Sequence, residues 1–258
     1  MARPVNRGTI VSVVFVGLAA LGAASHLMAS AAFTVNPMMI RLTARSTSQL
    51  LTISNQARQP IRFEVKAFKW DHDESDAMQL EPAADVVFFP NVVTIPAGGQ
   101  QRVRVGTTAA AGDTERSYRI FVEELPGAPV AGAAAQVAMR TRIGIPVFLA
   151  AVKPEARAEL QGLAVQDGQL AVRLRNAGNT HLVVDHVELR GLGDASQVAF
   201  VRTIPGWYVL PGRARRFETA LTPDECRAAK TITAQAVTDG GTVDARATVS
   251  ASACGGGR

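Results

Sequence analysis

Ile61-Arg62-Phe63-Glu64-Val65-Lys66-Ala67 alternates apolar and charged residues without a break. In an extended strand successive side chains point to opposite faces, so Ile61, Phe63, Val65 and Ala67 share one side and Arg62, Glu64 and Lys66 the other. Such a strand lies over a core with its second face in water. The alternation returns in residues 50–54, 101–105, 118–123, 137–147, 170–175 and 182–189. Turn formers separate the runs, as at Asn55-Gln56, Pro126-Gly127, Pro211-Gly212 and Asp239-Gly240-Gly241. Many short strands with frequent turns and no convincing amphipathic helix predict an all-β chain of antiparallel β-sandwiches.

Working outward, the 258 residues suffice for two such sandwiches of about 100 residues each. Lys153-Pro154-Glu155 interrupts the alternation and a second series starts at Leu160, which predicts one domain over residues 32–152 and another over 153–258. Residues 1–31 read as a secretory signal: Arg3 and Arg7 precede an apolar run, and Ala29-Ser30-Ala31 supplies a cleavage pattern. The run is short for a spanning helix and no later stretch is apolar enough, so the mature chain is expected in the periplasm and not embedded in the membrane. The glycine- and alanine-rich stretch 127–135 reads as a flexible loop and the tail 255–258 as frayed.

Loss of Arg3 and Arg7 lowers the formal charge from +5 to +3. The basic residues are scattered along strands and not clustered with aromatics, which argues against nucleic-acid binding. Neither a nucleophile elbow, a phosphate-binding glycine loop nor a CxxC pair is present, so no enzyme activity and no cofactor is expected. Asp71-His72-Asp73-Glu74 is the one cluster with ligand-like chemistry; it reads as a solvated turn between strands and not as a metal site. His181 and His186 flank a short strand, and His186 beside Asp185 reads as satisfying a local hydrogen bond.

The two cysteines, Cys226 and Cys254, each lie fourteen residues from Gly240, the centre of a turn between strands over residues 231–237 and 242–250. A hairpin there would bring them opposite, predicting a disulfide in an oxidising compartment.

One ordered series of residues runs across the whole of residues 33–212. It comprises Pro37, Ile53-Ser54-Asn55, Trp70, Phe89-Pro90 and Pro96-Ala97-Gly98 before Gln101-Arg102-Val103-Arg104-Val105. Glu115, Tyr118-Arg119 and Glu124-Leu125-Pro126 follow, then the strand 137–147, Asn176-Ala177-Gly178-Asn179 and Val209-Leu210-Pro211-Gly212. In this order the chain resembles the periplasmic pilus assembly chaperones of the chaperone-usher pathway, the PapD-like family, in a divergent short-loop or archaic form. The resemblance implies two immunoglobulin-like domains in a boomerang arrangement, pilus or fimbrial subunits as clients, and an outer-membrane usher as the second partner. It also implies that a long strand is lent to a subunit that lacks one. The family's donor positions fall on Ala135, Val137 and Met139, with Thr141 and Ile143 continuing the same face.

The family's clamp for the subunit's terminal carboxylate falls on Met39 and Gly144, which cannot serve. Two residues away on the same strand faces stand Arg41 and Arg142, the candidate anchors, with Arg140 and Arg104 in reserve; the alternative is ordinary solvated strand charges. The family's interdomain acid is kept as Glu115, but its basic partner's place holds Phe148. A secreted immunoglobulin-like structural or adhesive module, such as a pilus subunit, is the alternative within β-domains. It would need a free donor extension ahead of its first strand. A periplasmic enzyme, revived by any activity that needs His72 or His181, is the alternative from another class.

Overall fold

A computed structural model of the chain describes residues 33–73, 77–126 and 140–254. The expected signal segment 1–31, the loop 127–135, the tail 255–258, Glu74 and the donor positions Ala135, Val137 and Met139 lie outside the described residues.

The first sandwich contains β1 (Phe33–Asn36), β2 (Ile40–Leu42), β3 (Ser48–Asn55), β4 (Ile61–His72) and β5 (Met78–Pro82). It is completed by β6 (Val86–Phe89), β7 (Val92–Ile95), β8 (Gln100–Thr107), β9 (Arg116–Glu124) and β10 (Arg142–Leu149). One sheet has the order β1-β3-β8-β6; the other runs β2-β10-β9-β4-β5, with β7 also paired to β4. The chain passes from one sheet to the other between β1 and β2, where the Asn36–Pro37 peptide is cis. As the alternation requires, Ile61, Phe63 and Val65 of β4 are buried between the sheets with Phe33, Ile53, Val103 and Ile120. Asn55, fully enclosed at the end of β3, donates to the carbonyls of Gln59, Ile95 and Pro96 and accepts from the Ala57 N–H, so its burial leaves no amide group unpaired.

The second sandwich contains β11 (Ala158–Gln166), β12 (Gln169–Asn176), β13 (Leu182–Leu192), β14 (Val198–Pro205), β15 (Tyr208–Val209) and β16 (Ala214–Ala220). A short helix α1 (Pro223–Ala228) precedes β17 (Thr231–Thr238) and β18 (Gly241–Thr248). Its sheets run β11-β12-β16 and β14-β13-β17-β18, with β15 on β13. Leu170, Val172, Leu174, Leu189, Phe217 and Ile232 fill its own core. Asn176 repeats the role of Asn55, donating to Thr180 and Val209 carbonyls and accepting from Gly178 N–H.

Two sequence expectations change here. A helix exists where none was foreseen: Thr222 caps it, accepting from the Glu225 N–H while the Glu225 carboxylate accepts from the Thr222 N–H, and Pro223 starts it. Cys226 and Cys254 are bonded, with Cα atoms 5.6 Å apart, but Cys226 sits in α1 and Cys254 in the closing turn, both beyond the hairpin strands.

The second change is at Asp71 and His72, which are not a solvated turn. They are the last residues of β4, extended by pairing of Asp71 with Gln79 and His72 with Met78. His72 is buried, because β4 continues past its own sandwich and into the second domain. No three His, Cys, Asp or Glu side chains group as a metal site among the described residues.

Candidate functional site at the domain junction

The outward face of the sheet β2-β10-β9-β4-β5 is ordered by register. Residues with the parity opposite to the core line up in rows across β4, β9 and β10: Glu64, Glu123 and Arg142; Lys66, Phe121 and Gly144; Phe68, Arg119 and Pro146. Phe148, one step further, lies beside Arg41 of β2. The first row is charged and neutralised, since Glu123 holds Arg142 at 2.7 Å and Lys66 at 3.0 Å, and the Arg142 guanidinium lies 3.6 Å from the Phe121 ring centre. Beyond the third row lie the aromatic rings of Trp70 and Phe148, with centres 5.9 Å apart.

Between the charged row and these rings stands Arg119. It is 6% exposed, and its guanidinium carbon lies 4.7 Å from the Trp70 ring centre and 5.6 Å from that of Trp207 in the second domain. No carboxylate meets it: its Nε has no hydrogen-bond partner among the described residues, and Nη1 reaches only the Met78 sulfur at 3.7 Å. Burial pushes the guanidinium's pKa below its ordinary value, opposed by the neighbouring Tyr208. Indole faces attract a cation but satisfy none of its N–H donors. An arginine rarely goes unpaired into the interior, because an unsatisfied charged donor costs several kcal/mol. An anion is the kind of group that would complete the hydrogen bonding of such a guanidinium.

Gly144 makes room for it. A β-carbon there would stand 3.0 Å from Arg119 Nε and 2.9 Å from Phe121 Cε1, so the side chain reaching across from β9 fills the space that a residue on β10 would otherwise take. Met39, the other position of the family clamp, packs against the cluster of Trp70, Phe148 and Leu210.

The domains meet around that same cluster. Trp70 and Phe148 come from the first sandwich, and Tyr208 and Leu210 from the second. Polar contacts frame it: the Leu210 N–H donates to His72 Nε2 at 3.2 Å, and Arg213 forms a bidentate pair with Asp71. Glu115 receives His181 Nδ1 at 2.8 Å, the His181 N–H at 2.9 Å and the Thr180 hydroxyl at 2.9 Å, all at a site where both pair members are less than a tenth exposed. The basic partner of Glu115 therefore comes from the second domain, and Phe148 contributes by stacking on the His181 ring at 3.6 Å. Position 148, the family's place for that partner, holds a phenylalanine instead.

The anchor candidates do not converge. Arg41 lies beside Phe148 and Arg142 lies six residues earlier on β10, about 20 Å away at ~3.3 Å per residue. Arg41 is exposed with its Nε on the Met39 sulfur, Arg140 is exposed ahead of β10, and Arg104 lies on the other sheet, donating to Ser48. Thr141 precedes β10, and Ile143 packs against the first core. Along its second edge β10 pairs with β2 only from Val147 to Leu149, so from Arg142 to Pro146 that edge has no strand beside it among the described residues. Arg119 was the residue missed. Its signal was an arginine inside the otherwise apolar run from Tyr118 to Val122.

Residues 32–155 match the model of the pili and flagellar-assembly chaperones, PapD N-terminal domain. No curated protein sequence matches the chain. Among solved structures, the chain is similar to one from the CsuC-CsuE chaperone-tip adhesion subunit pre-assembly complex of archaic Csu pili of Acinetobacter baumannii. That match has 19% identity and a TM-score of 0.55, covering 84% of this chain and 97% of that one. The YadV chaperone is similar at 16% identity and TM-score 0.56, covering 84% and 99%. The CupB2 chaperone of Pseudomonas aeruginosa is similar at 15% and 0.52, covering 83% and 100%. At these identities the likeness is one of fold.

Proposed function

This chain is PapD-like, its first domain belonging to the family of pili and flagellar-assembly chaperones, and from that premise we propose that it is a periplasmic, ATP-independent chaperone of pilus subunits. It holds a subunit that lacks a strand by pairing the open edge of β10 with the subunit's exposed groove, with Ala135, Val137 and Met139 as the donor positions the resemblance implies. Arg119 receives the subunit's terminal carboxylate, in place of the Met39 and Gly144 positions.

The observation that carries this reading is the buried guanidinium of Arg119, which has no carboxylate partner among the described residues and whose Nε has no hydrogen-bond partner among them, on the strand next to the open edge of β10. A carboxylate there would supply the hydrogen bonds that burial has withheld, in a setting where charge-assisted bonds are strong. An export signal and a disulfide support the periplasm. No helix among the described residues is long and apolar enough to cross a membrane.

Delivery to an usher needs a second surface. Leu50, Arg104 and Phe89 form one cross-strand row on the outer face of β3-β8-β6, with Val87 beside them. Phe89 is 78% exposed, and an apolar patch with a basic centre is a docking surface and not a core.

The test is co-expression with a cognate pilus subunit, followed by co-purification. Arg119→Met keeps the side-chain length and the stacking but removes the charge, and should reduce subunit recovery at least tenfold with the circular dichroism spectrum unchanged. Full recovery with that variant would remove Arg119 from the site.

A further inference from the structure

Trp207 is the second domain's only described aromatic side chain both close to Arg119 and substantially exposed, at 46%. Its place is fixed by the backbone around it. Gly206 packs so closely that a β-carbon would stand 2.0 Å from the Val184 carbonyl oxygen, and its N–H donates to the Asp185 carbonyl at 2.8 Å. The Trp207 carbonyl accepts from the Val184 N–H at 2.9 Å, and its indole meets the Tyr208 ring edge to face, with centres 5.6 Å apart. The backbone that carries Trp207 is fixed, so a ligand stacking on the indole has only the side chain to order.

The contrast with Trp70 decides what the exposure means. Both indoles flank the same guanidinium, yet Trp70 is 4% exposed and belongs to the junction cluster, whereas Trp207 leaves about half its surface in water. Trp70 suffices to complete the cluster and cover the cation from within. Trp207 belongs to neither core cluster, and tryptophan is among the residues most enriched at the anchors of protein recognition.

We propose that Trp207 reads the last side chain of the client, so that the second domain selects subunits ending in an aromatic or large apolar residue. This rests on the reading of Arg119 as the carboxylate receptor: a chain whose terminal carboxylate meets Arg119 carries its last side chain within reach of the indole 5.6 Å away. Arg119 then recognises that the chain has ended, and Trp207 what it ends with.

The probe is a short alternating valine, threonine and lysine peptide, fluorescein-labelled at its N-terminus, in three forms: ending in phenylalanine acid, glycine acid or phenylalanine amide. Binding to the mature chain is followed by anisotropy. The wild type should prefer the phenylalanine acid to the glycine acid by about fivefold to tenfold, the worth of one aromatic pair. Trp207→Ala and Trp207→Gln should weaken binding and abolish that preference while keeping the preference for acid over amide; Trp207→Phe should restore it. A phenylalanine preference that survives in both variants, or is absent in the wild type, overturns the role of Trp207 and leaves Arg119 standing. Loss of acid-over-amide selectivity in the wild type, its survival in Arg119→Met, or failure of all three peptides to bind overturns the reading beneath it.

Discussion

Gly144 and Arg119 compete for one volume: the missing β-carbon of the first would lie 3.0 Å from the Nε of the second. Gly144→Ala should therefore leave the fold intact, because the guanidinium can yield, while moving that guanidinium out of register with a bound carboxylate. We expect subunit capture to fall about tenfold, as a single lost charge-assisted hydrogen bond implies, with a thermal midpoint within a few degrees of wild type. Capture equal to wild type would show that the placement of Arg119 is not critical.

The pair Glu115 and His181 crosses the junction out of water, whereas Asp71 and Arg213 cross it near the surface. Removing the Glu115 carboxylate leaves three donors at the junction without an acceptor, so Glu115→Ala should cost roughly 3 kcal/mol or more in urea unfolding. Asp71→Ala should cost less than about 1 kcal/mol, because an exposed pair is screened. Equal losses would mean that burial does not distinguish the two contacts.

Tyr118 is buried, and its hydroxyl donates to Asp85 at 2.6 Å; burial first, then that bond and the carboxylate's charge, push its pKa from 10.0 to about 12. Burial raises Tyr208 as well. Since the folded-state value is raised, the stabilisation from the neutral phenol is complete below pH 10 and disappears as pH rises through about 12. These are the chain's two tyrosines, so in the native protein the tyrosinate absorbance of Tyr118 should appear only towards pH 12, and that of Tyr208 above its ordinary range. A native midpoint near the ordinary value would refute the burial argument. Tyr118→Phe should remove the later step.

The disulfide joins residues 28 apart. Loop-closure entropy for such a span predicts that replacing both cysteines by serine lowers stability by about 3 to 4 kcal/mol. Urea unfolding of the oxidised and reduced wild type gives the same comparison without mutation; identical midpoints would show that the closing turn does not unfold with the domain.

The strands were legible because alternation is local. Residues 61–67 declare their two faces without reference to anything distant, and the structure follows them. Asp71-His72-Asp73-Glu74 misled because four such polar residues look like a solvated turn, and only the second domain buries His72 at the end of β4. The short helix carried its start signal in Thr222-Pro223-Asp224-Glu225, but under two turns of helix gives periodicity no length in which to show. The site was harder. Parity along a single strand placed Arg142 on the correct face, yet the distance from Arg41 to Arg142 is set by the parallel pairing of β2 with β10, which no local pattern encodes. Arg119 needed two neighbouring strands and the empty place at Gly144 before its position meant anything.

The chain has only two tryptophans, and both lie against the Arg119 guanidinium. Its intrinsic fluorescence is consequently a one-point gauge, reading the hinge region and blind to either hydrophobic interior. An emission change on heating or on adding a client reports that the two halves have shifted against each other, even while every strand remains in place. Ellipticity reports the strands. Divergence between the two signals would measure, without any label, how loosely the halves are coupled.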